Sequence, residues 1–344
     1  MQTQLLPVTA ESLALAGGLI RAGELVAFPT ETVYGLGANA LDEAAVKRIF
    51  EAKGRPGDNP LIAHISAIDQ LYPLIAAEPG EAARKLMAAY WPGPMTLIFP
   101  KSPAVPAAVT AGLSTVAVRF PAHPAARALI DAAGVPIAAP SANRSGRPSP
   151  TTAAHVLADM DGRIPLILDG GPCEVGLEST VIDVTGSEPR ILRPGGVTRE
   201  MIAAAAGSAG VDEAVLRPLK DGERPRSPGM KYRHYAPKGS LTIVQGAPEA
   251  VTARISAMYD EAQAAGRSPL ILALEGHLPA YGGRRALSLG ADAAGMARAL
   301  FNRLREADDL GADAIFSEAV STDGVGLAVM NRLDRAAAFH IIEV

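Results

Sequence analysis

Short, strongly apolar runs alternate along this chain with longer segments whose apolar residues recur at helical spacing, the pattern of an α/β protein. Residues 11–22 carry the period of an amphipathic helix, and "ELVAFPT" after them reads as a buried strand. Asp42 stands where a helix N-cap belongs, ahead of "EAAVKRIFEAKG". "PLIAHIS" reads as a strand, "PGEAARKLMAAYWPG" as a helix stopped by Pro92 and Gly93, and "PMTLIFP" and "STVAVRFP" as two further strands. Past Pro121 the pattern predicts a helix near 124–133, a short strand in "VPIAAPSA", a helix near 151–159, and strands in "IPLILDGG", "STVIDVT" and "PRILRPG". The expectation is an α/β domain on a mixed sheet that ends near residue 207.

Between about 212 and 240 the alternation stops, and "DEAVLRPLKDGERPRSPGMKYRHYAPKGS" is rich in Pro, Gly and charge but poor in aliphatic residues. It reads as a linker. Beyond it, the strands "LTIVQG", "PLILALEG" and "DAIFSEAV" alternate with helices expected at 249–264, 292–307 and 324–339. Such alternation predicts a smaller three-layer domain on a largely parallel sheet.

Composition changes this picture only at a few points. A chain of 344 residues can bury two cores, and 48% hydrophobic with 20% charged residues is ordinary for a globular protein. The net charge of −4 excludes a protein that coats nucleic acid by overall basicity, though it leaves room for a local basic cleft. With one cysteine, Cys173, neither an intrachain disulfide nor a cysteine-rich zinc site can form. That points to a reducing compartment and a packing role for the thiol. The N-terminal stretch lacks the basic n-region of a signal peptide, and no apolar run is long enough to span a bilayer, so the expected location is the cytoplasm.

Candidate chemistry gathers at strand ends. Gly35, Gly37 and Ala40 of "GLGANA" have the spacing of a dinucleotide-binding turn, but "TETVY" separates them from the strand and Asp42 already caps the next helix. The glycines therefore read as a tight backbone turn beside a ligand. Lys53 and Arg55 of "KGRPGDNP" follow a helix in a loop held by Gly and Pro, and a rigid cationic turn suits a phosphate. Taken alone, Lys53 would equally complement the helix C-terminal dipole. Arg119 lies among valines in "STVAVRFP", where a charge needs an anionic partner. The loop "APSANRSGRPSPT" gathers Ser141, Asn143, Arg144, Ser145, Arg147 and Ser149, while Ser179 and Thr180 begin one strand and Arg193 ends another. Any one of these hydroxyls could be a turn cap; recurring at several strand ends, they mark where ligands of α/β domains bind. No P-loop, H-E-x-x-H or clustered carboxylate pattern occurs, so a Mg²⁺ would be carried in by phosphates rather than by a protein cage. His64 by itself reads as a strand cap.

Taken in order, "PTETVYGLGANA", "KGRPGDNPL", "STVAVRFP", "APSANRSGRPSPT", "GLESTVID", "ILRPG" and "SPGMKYRHYAP" resemble the L-threonylcarbamoyladenylate synthases in their long form. The resemblance runs along essentially the whole chain. It implies a YrdC-like catalytic α/β domain with a twisted mixed sheet over 1–207, a linker over 208–240 that folds over the active site, and a Rossmann-like three-layer α/β domain over 241–344. It also implies a reaction, in which L-threonine, bicarbonate or CO₂, and ATP give threonylcarbamoyl-AMP and pyrophosphate. Separate tRNA threonylcarbamoyl transferase proteins then use that product to modify an adenosine. Thr32, His64, Arg119, Ala139 and Ser179 match the threonine-binding set, with Arg119 facing the substrate carboxylate. Lys53, Arg55, Asn59, Thr115, Ser141, Asn143, Ser149, Arg193 and Tyr232 match the ATP-binding set, and Lys53 and Arg55 are the expected catalytic cations. The implied cofactor is Mg²⁺ carried with ATP, with no stable nucleic-acid complex and no membrane association.

Two other classes are open to the residues. An RNA-binding module could use the same cations, but the acidic balance and 4% aromatic content disfavour it. A carbamoyl transferase of metallocentre assembly would be expected to carry cysteine-rich zinc motifs, and one cysteine cannot supply them.

Overall fold

A computed structural model describes residues 2–217, 225–227 and 235–344. These residues fall into two compact units, those of Met1–Ser145 and Ser149–Lys231, and those of Gly146–Pro148 and Tyr232–Val344.

The first unit runs β1 (Gln4–Pro7), α1 (Ala10–Arg21), β2 (Val26–Phe28), β3 (Gly35–Asn39), α2 (Glu43–Lys53), β4 (Ile62–His64), α3 (Glu81–Tyr90), β5 (Met95–Pro100), α4 (Ala107–Thr110) and β6 (Thr115–Arg119). It continues with α5 (Pro124–Ala133), β7 (Ile137–Ala138), α6 (Ala153–Met160), β8 (Leu166–Asp169), β9 (Thr180–Asp183), β10 (Arg190–Arg193), α7 (Arg199–Ala206) and β11 (Gly210–Val211). Its strands form one mixed sheet in the order β1-β8-β2-β3-β7-β4-β6-β5-β9-β10-β11. Helix α1 opens with a reciprocal capping box between Thr9 and Ser12 and packs on α5. The two helices approach so closely that a Cβ on Gly17 would stand 2.6 Å from the Ala132 carbonyl. Helix α2 begins as expected, with the Asp42 side chain accepting from the N–H groups of Ala44 and Ala45, and ends at Gly54 in the left-handed conformation (φ 61°). Lys53 is thereby delivered at the end of the helix, followed by the loop that carries Arg55 and Asn59.

One expectation is overturned here. "GLGAN" is not a tight turn but strand β3, antiparallel to both β2 and β7. Its glycines make room inside the sheet. A Cβ on Gly37 would sit 2.8 Å from Ile137 Cγ2 and 2.9 Å from Phe28 Cε1, and one on Gly35 would sit 3.1 Å from Phe28 Cζ. The short strands β1 and β11 were also not predicted, because neither carries a buried alternation.

The second unit runs β12 (Ser240–Gln245), α8 (Pro248–Ala264), β13 (Pro269–Ala273), β14 (Ala286–Ser288), α9 (Ala293–Asp309), β15 (Ala314–Glu318), α10 (Gly326–Ala336) and β16 (Ile341–Glu343). All its strand pairs are parallel, in the order β14-β13-β15-β12-β16. This is the largely parallel sheet that the strand–helix alternation predicts and the Rossmann-like domain that the resemblance implies; the edge strands β14 and β16 carry too little pattern to be read from the sequence. No helix among the described residues is long and apolar enough to cross a membrane.

Candidate active site

The site is organised by strand register. His64 of β4 pairs with Arg119 of β6, Arg119 with Thr96 of β5, Thr96 with Val181 of β9, and Val181 with Arg193 of β10. Residues opposite one another in a sheet project from the same face, so one row across five strands carries Arg193, Thr96, Arg119 and His64. Their side chains are buried.

Arg119 is tied down at three points. Nε donates to the Gly93 carbonyl (3.3 Å), Nη1 donates to Thr32 Oγ1 (2.9 Å), and Nη2 stands 2.7 Å from Glu31 Oε1 in an ion pair whose side chains are 4% and 9% exposed. Glu31 is the anionic partner that the sequence demanded for Arg119 without identifying it. Burial is the largest single influence and would raise its pKa, but the charge of Arg119 together with hydrogen bonding to the carboxylate holds the carboxyl below its usual range. Thr30 shares a hydrogen bond with Thr32 (2.8 Å) and donates to the Val33 carbonyl (2.6 Å), fixing the hydroxyl that meets Arg119.

His64 lies edge-on to Phe28, with ring centroids 6.1 Å apart, and its Nδ1 stands 3.1 Å from the Ile62 carbonyl. That carbonyl can only accept, so Nδ1 carries the proton. Burial, reinforced by Arg119, pushes the imidazole down to about 3, and His64 is neutral across the physiological range. Ser179 Oγ shares a hydrogen bond with Thr96 Oγ1 (2.8 Å) and accepts from Arg193 Nη2 (3.2 Å), while Arg193 Nε donates to the Ser179 carbonyl (3.1 Å). Ala139 joins through its backbone, its N–H donating to the Ile62 carbonyl (2.9 Å).

A second group surrounds the end of α2. Lys53 Nζ is buried and donates to the carbonyls of Ser141 (2.5 Å) and Asn143 (2.6 Å), so the lysine pins the "PSAN" loop to the helix. Ser141 Oγ in turn donates to Asn143 Oδ1 (2.5 Å). Arg55 donates to the Asn59 carbonyl (2.8 Å) and lies 5.7 Å from the centre of the Phe50 ring. The Asn59 side chain is 1% exposed, and both of its amide atoms lack a hydrogen-bond partner among the described residues. Thr115 opens β6, paired with Pro100 of β5 at the opposite end of the strand from Arg119. Ser149 donates to Glu178 Oε1 (2.6 Å), next to Ser179. Tyr232 lies outside the described residues.

Sequence reasoning passed over Glu31, Thr96 and Glu178. The sequence shows no clustered carboxylates, yet two single ones are buried in the site, Glu31 ion-paired with Arg119 and Glu178 accepting from Ser149. A usable signal existed for Glu31, because "PTETV" and "TVAVRF" each hold one charge, of opposite sign, among neutral residues. Cys173 is partly buried against the core, and burial raises its thiol pKa to about 12, so no thiolate is available there. Among the described residues no three His, Cys, Asp or Glu side chains stand together as metal ligands.

Buried guanidinium, imidazole and hydroxyl groups thus gather in one mixed sheet, and comparison with known proteins gives the class. Residues 18–195 match the family model of Sua5, YciO and YrdC proteins described as "Telomere recombination", and residues 197–338 match the "Threonylcarbamoyl-AMP synthase, C-terminal domain". The chain is 49% identical over 332 residues to the threonylcarbamoyl-AMP synthase of Pyrococcus abyssi, covering 96% of each chain. It is 50% identical to that of Bacillus subtilis, covering 96% of this chain and 94% of the relative. The solved structure of P. abyssi Sua5 complexed with L-threonine superposes with a TM-score of 0.94 at 47% identity, covering 99% of this chain and all of the other. The chain belongs to the threonylcarbamoyl-AMP synthase family.

Proposed function

We propose that the protein condenses L-threonine, bicarbonate or CO₂, and ATP into threonylcarbamoyl-AMP and pyrophosphate. The product is then consumed by separate tRNA-modifying proteins. The observation that carries this reading is the near-complete superposition on a family member complexed with L-threonine. With bicarbonate, the threonine ammonium first gives up a proton to solvent, the free amine attacks the carbon and water leaves. An oxygen of the resulting carbamate attacks the α-phosphorus of ATP, and pyrophosphate leaves.

Nucleophile and electrophile are both anionic, so the chemistry needs fixed cations and close positioning more than it needs a general base. On this reading Thr32, His64, Arg119, the Ala139 backbone and Ser179 hold threonine, with Arg119 toward its carboxylate. Lys53, Arg55, Asn59, Thr115, Ser141, Asn143, Ser149, Arg193 and Tyr232 hold the nucleotide, with Lys53 and Arg55 supporting the charge that develops at phosphorus. Lys53 supports the assignment in two ways, by its charge and by placing the loop that bears Ser141 and Asn143. Mg²⁺ would arrive on the triphosphate.

The test is pyrophosphate release from Mg-ATP, with and without L-threonine and with bicarbonate withheld in parallel. Release that requires both co-substrates is the expected result. Release indifferent to threonine would overturn the reading.

A further inference from the structure

Two buried atoms of the Glu31–Arg119 ion pair make no aligned hydrogen bond. Neither Glu31 Oε2 nor Arg119 Nη2 has a hydrogen-bond partner among the described residues, although Nη2 approaches the other carboxylate oxygen to 2.7 Å. The pair is close, but no N–H is aimed at Oε1, which instead accepts from the Ala122 backbone N–H at 3.2 Å. The guanidinium cannot swing away to satisfy itself, because Nε is committed to Gly93 and Nη1 to Thr32. A buried carboxylate oxygen and a buried guanidinium edge left without partners are costly, and a native site retains them where something else completes them.

An α-amino acid carries its two charges on substituents of one carbon, so its receptor must present the opposite charges at adjacent points. Resting on the threonine reading above, we propose that Glu31 Oε2 accepts the α-ammonium group of the amino-acid substrate while Arg119 Nη2 donates to its carboxylate. Glu31 then separates amino acids from hydroxy acids of the same shape. The electrostatics agree with recognition rather than proton transfer, since the Glu31 carboxyl is held below its usual pKa by Arg119 and stays ionised beside an ammonium. Neutral His64 adds no charge that would repel the ammonium.

The experiment is calorimetric titration of the full chain with L-threonine and with (R)-3-hydroxybutyrate, which keeps the carboxylate and hydroxyl but has no amine. The wild type is expected to bind threonine at least about tenfold more tightly than the hydroxy acid. Glu31→Gln should lose about that factor for threonine and little for the hydroxy acid, and Glu31→Asp should recover part of it. If Glu31→Gln weakens both ligands equally, Glu31 merely positions Arg119 and the proposal is overturned; no change for either ligand overturns it too. Should Glu31→Gln fail to fold, the wild-type ratio decides, because equal affinity for the two ligands would refute ammonium recognition. A wild type that binds neither ligand overturns the threonine reading and this inference together, whereas failure of the inference alone leaves threonine binding intact.

Discussion

Replacing Arg119 by Met keeps a long side chain in place but removes the charge that faces Glu31. The partner carboxylate, 9% exposed, is then left buried without its counterion. Breaking one side of a buried pair costs about 3–5 kcal/mol, and the small volume change adds little. For a unit of roughly 200 residues each kcal/mol moves the melting temperature by roughly 2–4 °C, so the expected drop is roughly 6–20 °C. The loss should depend on pH in a particular direction. In the wild type the Glu31 pKa lies below its ordinary 4.5, so the pair's contribution is present above 4.5 and fades as pH falls through the folded-state value. In Arg119→Met burial dominates and the folded-state pKa rises above 4.5, so stability falls as pH rises through that window. The gap between the two proteins is therefore wide at pH 8 and narrows toward pH 5, where the variant can protonate Glu31. Glu31→Gln combined with Arg119→Met should recover much of the loss, since no charge then remains buried alone. Thermal unfolding by circular dichroism at the two pH values checks all three statements. A variant melting within about 2 °C of wild type at pH 8, an equal loss at both pH values, or a double variant no better than the single would refute the reasoning.

Asn59→Leu removes an amide that makes no hydrogen bond in the described fold, so stability should hold within about 1 kcal/mol while the KM for ATP rises at least tenfold. A large loss of stability with unchanged ATP dependence would show that the amide is structural. His64, with its pKa near 3, refuses a proton that the unfolded chain accepts below 6.5, so wild-type stability falls on acidification between those values. In melting curves from pH 4.5 to 7.5, His64→Gln should flatten that slope by up to one proton's worth; parallel curves would refute the assignment. Gly37→Ala drives a methyl to 2.8 Å from Ile137 and should cost about 1–3 kcal/mol in chemical denaturation, whereas Gly54→Ala meets no neighbouring atom and strains only the backbone at φ 61°.

Much of the fold was legible because its signals are local. The Asp42 cap, the helical period of "EAAVKRIFEAK" and the Pro and Gly that follow are read within a few residues, and together they place Lys53 at the end of α2. The all-parallel second sheet follows in the same way from the regular exchange of strand and helix. The motifs at the strand ends likewise gather candidate site residues before any geometry is known. What they touch is a different matter. "GLGAN" has no local mark that separates a turn from a strand, and the difference lies in Phe28 and Ile137, which crowd its glycines from neighbouring strands.

The composition of the site was thus set by sequence, while its pairings were set by register. His64, Thr96, Arg119 and Arg193 come from four separate runs of chain and fall into one row only when β4, β5, β6, β9 and β10 align. Glu31 becomes the partner of Arg119, and Lys53 the clamp of the Ser141–Asn143 loop, through contacts across 88 residues or more of sequence. Cap, period and turn chemistry act between residues a few places apart, so one sequence reveals them. A salt bridge or a buried row depends on which strands lie side by side, and the fold alone settles that.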